Sequence, residues 1–501
     1  MGIQMKLKVR SYDLDSSEPA VIIHDDDCRE LGVKVHDRVR VTSRDVWISL
    51  VDNSDTILER GEILVPNIYI RRHGLKDGDI VDVVHSPKPD SVVYIRKKMD
   101  GKKLEKDEIC AVVNDILEAK LSNIEVSAWL TSLYINGMDL EEIAYFTNAM
   151  VDTGERIVFD REPVFDFHSV GGVPGNKVTP IVVSIVAAAG LMLPKTSSRA
   201  ISSACGTSDF VETFCNVELS AEQVKKISED VGAVFAWGGS MNLAPVDDIV
   251  IKVENPLGIN PRAQMLASIM SKKLAIGANN LLVDIPMGAG TKIPTLNVAR
   301  AYVRDFTELG DKLGMHVECA ITYADQPVGQ AVGPILEARE CIRVLEGDKH
   351  PGSVVEKACA LAGMILEMGG IPNGMDKAHE LLESGAAMTK FREIVAAQGG
   401  NYDIKSSDLV PGKYTQDIVA TKSGYVHSID NKAIVQIARA SGSPSDKGAG
   451  LLIFKKRGQR VEKGDVILRI HADNEAKCVR AKELALRLTP ISIEGMLIEK
   501  G

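Results

Sequence analysis

The chain has 501 residues, 45% of them hydrophobic and 26% charged, enough for about two to four domains and a large buried core. A formal net charge of −10 argues against a surface built to bind nucleic acid or anionic lipid, so any phosphate site has to be a local basic pocket in an acidic body. The eight cysteines show no paired spacing and no Cys-x-x-Cys, no signal-peptide core opens the chain, and the longest apolar stretch, 178–193, is broken by Pro180, Ser184 and Gly190. These features predict reduced thiols in a cytoplasmic protein without a membrane span.

Residues 1–85 read as a small β-rich domain, with short β-branched runs from Ala20, Arg38 and Val81 between Asp/Gly turns. Asp25, Asp26 and Asp27 fit a helix cap or acidic turn better than a metal site, and the two prolines of 86–90 mark a linker. From Glu105 to Ala149 apolar residues recur at three- and four-residue steps, which predicts helices. From Phe159 to Glu346 short β-branched runs alternate with amphipathic segments, the pattern of a mostly parallel sheet with crossover helices, and Ser220 with Gln223 forms a capping box. Beyond Tyr414 the chain is strand-rich again. That region has the look of a biotinyl or lipoyl carrier domain, but no lysine sits at a tight hairpin tip, so a structural domain is expected.

Four segments carry the chemistry. The run from Asp166 to Thr179, DFHSVGGVPGNKVT, leads into an apolar stretch. A glycine-rich turn opening a helix offers free backbone N–H groups and the positive end of the helix dipole. Ser169, Lys177 and Thr179 add hydroxyls and a cation, so a phosphate-sized anion is the natural occupant. A second loop of the same character, TSSRAISSACGT from Thr196 to Thr207, follows within thirty residues. Ser268 and Lys272 lie four apart and share a helix face. The turn from Pro286 to Lys292 follows an apolar strand, and the carboxyl end of a parallel strand is where open α/β sheets bind ligands. Asp247 and Asp248 are expected at a helix cap or surface turn.

In order and spacing, His168-Ser-Val-Gly-Gly, Thr196-Ser-Ser-Arg with Gly206-Thr-Ser-Asp, Ala267-Ser-Ile-Met-Ser-Lys-Lys and the C-terminal β domain resemble the thymidine/pyrimidine-nucleoside phosphorylase family. Ser202 and Ser203, where nucleoside enzymes carry glycine and histidine, and the extra N-terminal domain resemble its archaeal AMP phosphorylase branch.

The resemblance implies an α/β protein of the type II nucleoside phosphorylase fold. It divides into a β-rich domain (1–85), a helical lobe (92–160 with 245–275), a large α/β lobe with a mixed sheet (161–244 with 276–412) and a C-terminal β-rich domain (413–501). It further implies phosphorolysis of AMP, and of CMP and UMP, to free base and ribose 1,5-bisphosphate. Inorganic phosphate is then a co-substrate, no cofactor or metal takes part, and the assembly is a homodimer or larger homo-oligomer. Ser169, Lys177, Thr179 and Thr207 are expected around the attacking phosphate. Ser198, Arg199, Ala200, Ile201, Ser202 and Ser203 are expected to hold the nucleotide. Gly172 allows close backbone approach, Ser268 and Lys292 contact the nucleotide, and Lys272 faces the base. Asn260 occupies the position of the proton donor, where the family pattern has an aspartate. A carboxamide donates a hydrogen bond but does not ionise in the working range, which leaves a weakened catalyst, a substitute acid among Asp247, Asp248 and Glu254, or hydrogen bonding alone. The rivals are a nucleoside enzyme, a phosphoribosyltransferase using Asp247 and Asp248 for a cation, and a nucleotide-binding protein that has lost catalysis.

Overall fold

The computed structural model describes residues 3–14, 18–200 and 203–495. The chain forms two compact units, Met1–Gly154 with Ala244–Ser271, and Glu155–Leu243 with Lys272–Gly501.

The first unit begins with a closed six-stranded barrel. Its strands run Gln4–Tyr12, Glu62–Pro66, Ala20–His24, Val46–Ser54, Arg38–Thr42 and Ile80–Ser86 around the ring. Alternate residues point to one face of a strand, and Leu7, Val9, Val39, Val41, Val81 and Val83 are all fully buried inside it. Asp25, Asp26 and Asp27 form the first turn of helix Asp25–Leu31, where negative charge meets the positive dipole end. Asp27 is buried and accepts from the Gly61 amide at 2.6 Å and Arg60 Nε at 3.1 Å.

Four helices follow, Ser91–Met99, Lys106–Leu117, Asn123–Asn136 and Leu140–Asp152, and the later helix Pro245–Leu257 packs with them. Their shared core includes Ile109, Val112, Trp129, Leu130, Phe146, Met150, Val246 and Val250. Capping boxes at Glu105/Glu108, Ser122/Glu125 and Asp139/Glu142 cut the continuous helical pattern of the sequence into separate helices. Arg38 of the barrel, itself buried, pairs with Glu125 and donates to the Lys120 carbonyl at 2.6 Å.

In the second unit, strands His316–Tyr323, Asn280–Met287 and Phe165–Ser169 form a three-stranded parallel sheet. Strands Leu193–Ser197 and Ala233–Trp237 form a parallel pair, which a parallel bridge between Val164 and Met192 joins to it. Helix Thr179–Ala188 is apolar on every side and buried from Thr179 to Ala187, the pattern of a helix enclosed by its neighbours, here Gly352–Met368 and Ala386–Ala397.

The C-terminal part holds two antiparallel sheets. One orders Ala331–Val332, Gly450–Ile453, Val466–Ala472 and Tyr414–Val419; the other orders Arg460–Val461, Gly424–Ile429 and Ile491–Glu494. Two helices that the strand-rich reading passed over, Asn431–Ser441 and Glu475–Leu488, pack against each other and bury Ile434, Ile437, Cys478, Ala481 and Ala485 in the core of these sheets.

Candidate active site

The second unit brings three loops together at the carboxyl ends of its parallel strands. Strand Phe165–Ser169 ends at Ser169 and turns through Gly171, whose φ of +76° belongs to the left-handed region that glycine tolerates. A Cβ built on Gly172 would stand 3.1 Å from Ser203 Cβ, and one on Gly171 would stand 3.2 Å from Lys292 Cβ. The first glycine loop, the second serine loop and the turn after Met287 therefore touch, and the bare backbone of Gly171 and Gly172 is what lets them.

Parallel register sets Ser169 opposite Asp284. Asp284 is fully buried, and its carboxylate accepts from Ser169 Oγ at 2.7 Å and Thr322 Oγ1 at 2.5 Å while pairing with Lys357 Nζ at 2.8 Å. The carboxylate thus fixes the direction of the Ser169 hydroxyl. A second buried carboxylate, Asp166, accepts from the Phe167 amide at 2.6 Å and pairs with Lys273 Nζ at 2.7 Å and, more distantly, Lys195 Nζ at 3.5 Å. Burial lowers the Lys195 ammonium to about 7; Asp166 opposes that shift and Lys273 adds to it. His168 stands next to this cluster. Burial first, then the positive charges of Lys273, Lys195, Lys272 and Lys292, hold its imidazole well below the usual range, so it is neutral at pH 7.

The second loop is tied at both ends by one side chain. Asp209 Oδ2 accepts from the Ala200 amide at 2.7 Å and the Gly206 amide at 2.8 Å. Any Cβ at Gly206 would fall 2.7 Å from the Ala200 nitrogen and the Ser198 carbonyl oxygen, so only glycine closes the loop. Ser198 is exposed, and its carbonyl accepts from the Ser208 amide at 3.4 Å. Arg199 lies over the Trp237 ring, 4.5 Å from its centroid, and pairs with Glu212 at 2.6 Å and Glu218 at 2.8 Å. Ser203 Oγ donates to the Cys205 carbonyl at 3.3 Å, and half-buried Thr207 begins the short helix Thr207–Val211. Ile201 and Ser202 lie outside the described residues.

Lys177 departs from expectation. Its ammonium is fully buried beneath the loop, donating to the Val328 carbonyl at 2.9 Å and pairing with Glu340 at 2.6 Å. A Cβ built on Gly175, whose φ is +74°, would stand 3.2 Å from Lys177 Nζ: the side chain is folded inward under the turn, away from the role of a phosphate ligand. Thr179 is likewise buried, in the first turn of its helix. Lys292 is exposed and Lys272 half-buried.

The first unit carries the remaining candidates. Helix Arg262–Ala275 presents Ser268 Oγ to Asp247 Oδ2 at 2.8 Å and Gln264 Nε2 to Asp247 Oδ1 at 2.9 Å. Asp247 is fully buried in the first turn of helix Pro245–Leu257, not at a surface turn, because a serine and a glutamine one helical turn apart both donate to it. Asn260 is half-buried between these two helices, with Nδ2 at 3.7 Å from Met265 Sδ. Among the described residues, no group of three or more His, Cys, Asp or Glu is placed to hold a metal ion. No helix is long and apolar enough to cross a membrane.

Asp166, Asp284, Thr322, Lys195, Lys273 and Lys357 were given no role by the sequence. Asp166 and Asp284 did leave a signal: each is a lone acid inside an apolar strand, Val164-Phe-Asp-Phe and Leu281-Leu-Val-Asp-Ile. A buried charge of that kind needs a partner.

An α/β domain whose parallel strands end in a glycine loop, a serine loop and a lysine turn, with a separate helical domain, matches the glycosyl transferase family. Residues 92–154 match the helical bundle domain and residues 161–388 the a/b domain of the glycosyl transferase family, and residues 425–492 match the pyrimidine nucleoside phosphorylase C-terminal domain. The fold resembles the anthranilate phosphoribosyltransferase of Thermus thermophilus, with a TM-score of 0.52 at 21% identity, covering 61% of this chain and 99% of that one. The chain is 48% identical to the AMP phosphorylase of Thermococcus kodakarensis over 499 residues, and 48% identical to that of Pyrococcus furiosus over 498, in each case spanning 99% of both chains. AMP phosphorylase 1 of Archaeoglobus fulgidus is 48% identical over 497 residues, again across 99% of both. The chain belongs to the AMP phosphorylase family.

Proposed function

We propose that this protein is a pentosyltransferase that cleaves the N-glycosidic bond of AMP with inorganic phosphate, releasing adenine and ribose 1,5-bisphosphate, and that it also accepts CMP and UMP. The observation that carries the reading is the meeting of three loops at Gly171 and Gly172, where an added Cβ would stand 3.2 Å from Lys292 Cβ and 3.1 Å from Ser203 Cβ, respectively. Two oxyanions must be held, the nucleophile and the 5′-phosphate. Backbone amides, hydroxyls and lysines around a neutral imidazole supply donors for both, with hydrogen bonds to charged groups contributing about 1.5–3 kcal/mol each.

In this reading Ser169, which turns its hydroxyl from Asp284 to the incoming anion, and Thr207 bind the attacking phosphate. The segment 198–203, with Gly172 and Lys292, binds the nucleotide, Ser268 contacts it, and Lys272 faces the base. Positive charge develops on the ribose as the bond breaks, so the work is positioning and electrostatic stabilisation. Asn260 serves the departing base as a hydrogen-bond donor. The enzyme works in the cytoplasm as a homodimer or larger homo-oligomer, a state that light scattering on the purified protein checks.

Base release from AMP and from adenosine, each with and without phosphate, tests the proposal. Release from AMP that depends on phosphate and exceeds that from adenosine is expected. Equal rates for the two substrates overturn 5′-phosphate recognition, release without phosphate makes the protein a hydrolase, and AMP binding without turnover makes it a binding protein.

A further inference from the structure

We propose that the groove between helices Asn431–Ser441 and Glu475–Leu488 is a second binding site, for a small ligand carrying two or more linked phosphates, and that its occupancy acts on the serine loop of the candidate active site. The proposal rests on the reading of that loop as the nucleotide-binding segment.

The groove encloses about 1070 Å3, and Arg439, Lys477, Arg480 and Arg487 stand in its wall against a single lining carboxylate, Glu483. Lys477 also pairs with Asp446 at 2.6 Å. Counting both acids, four cations against two carboxylates leave the groove positive, in a chain whose formal net charge is −10. Arg480 and Arg487 are exposed and, among the described residues, neither makes an ion pair. They lie seven residues apart on one stripe of the helix, a rise of roughly 10 Å. That separation exceeds the width of one phosphate, and two guanidinium forks on one side of a groove suit a chain of phosphates. The volume leaves room for more than inorganic phosphate.

Two residues of the same wall reach the serine loop. Arg439 Nη1 donates to the Ser203 carbonyl at 3.3 Å, and Ser443 Oγ donates to the Ala204 carbonyl at 2.7 Å. Ser203 is the residue whose Cβ meets the Gly172 position at 3.1 Å. A polyphosphate in the groove competes with the Ser203 carbonyl for the Arg439 guanidinium, and an anionic acceptor is the stronger partner. Occupancy therefore loosens Ser203 from its support and changes the affinity of the loop for nucleotide, which is a coupling between two sites.

The test is calorimetric titration of the full-length protein with sodium tripolyphosphate and with ATP, on the wild type and on Arg480→Glu/Arg487→Glu, with AMP phosphorolysis measured in parallel. Expected are saturable binding of tripolyphosphate to the wild type, a loss of at least tenfold in affinity in the variant, and an AMP KM that shifts severalfold with tripolyphosphate in the wild type only. Without tripolyphosphate the variant keeps kcat and KM within twofold of wild type. Equal affinity for tripolyphosphate and ATP assigns recognition to the phosphate chain, while tighter ATP adds a nucleoside contact; either supports the site. Equal binding by wild type and variant, or none by either, overturns it. So does a groove that binds a single-stranded oligonucleotide and not tripolyphosphate. Binding with an unchanged AMP KM overturns the coupling to the loop. The titration reads the groove even if base release from AMP fails, so the two proposals fail separately.

Discussion

Asp284→Asn removes the charge from a fully buried carboxylate that joins Ser169, Thr322 and Lys357. The hydroxyls at 2.7 and 2.5 Å can adapt to an amide, since each both donates and accepts. The ammonium of Lys357 at 2.8 Å cannot, and with its side chain 8% exposed it has little water to turn to. Breaking a buried pair by removing one partner costs about 3–5 kcal/mol, whereas replacing both charged members is often close to neutral. Asp284→Asn should therefore destabilise the second unit by about 3–5 kcal/mol, and Asp284→Asn/Lys357→Met should recover more than half of that. Of the three tryptophans, Trp47 and Trp129 belong to the first unit and Trp237 to the second. Urea unfolding followed by fluorescence in a Trp47→Phe/Trp129→Phe background thus isolates the unit that matters. A single variant losing less than about 1 kcal/mol, or a double variant no more stable than the single, refutes the claim that an unpaired Lys357 is the source of the cost.

Gly172→Ala places a methyl group 3.1 Å from Ser203 Cβ, so the loops must part by a few tenths of an ångström; AMP KM should rise severalfold in steady-state assays with the melting temperature nearly unchanged. Stability should depend on pH through Lys195, whose folded value of about 7 lies below the value of about 10.4 for a free lysine. Between those values the unfolded chain holds a proton that the native chain has shed, so this residue makes stability rise with pH, by up to about 1.4 kcal/mol per pH unit. Urea midpoints at pH 7, 8 and 9 for the wild type and Lys195→Met test it: the variant should lose part of the rise, and equal slopes would exclude Lys195 as its source. Asn260→Asp should raise kcat for AMP with little change in KM; unchanged or lower turnover removes position 260 from the role of proton donor.

The fold class was legible because it rests on periodicity within single segments. Alternating apolar residues in barrel strands such as Arg38–Thr42, three- and four-residue steps in the helices and the capping box at Ser220 are local signals, and local signals fix element type. The approach of the first two loops was legible at Gly172, expected to allow close passage of the backbone and found against Ser203. What stayed hidden depends on register and tertiary approach. Ser169 meets Asp284 only because two parallel strands pair in one particular offset. Lys177, set among glycines, looked like a phosphate ligand, yet a turn beyond the reach of pattern reading sends it to Glu340. The helices of the C-terminal domain were overlooked because Glu475–Leu488 lies between strand-like segments of stronger character.

Asp209 holds the amides of Ala200 and Gly206 with a single oxygen, pinching the two ends of a segment into a ring. Such a ring separates the clasp from its contents. On the proposed reading of this loop as the nucleotide-binding segment, a residue such as Ser203, which takes no part in the Asp209 latch, can be exchanged without undoing the knot, so selectivity can drift while the scaffold beneath is left intact. Engineering this protein toward other phosphorylated substrates should accordingly begin inside that ring and leave its carboxylate latch alone.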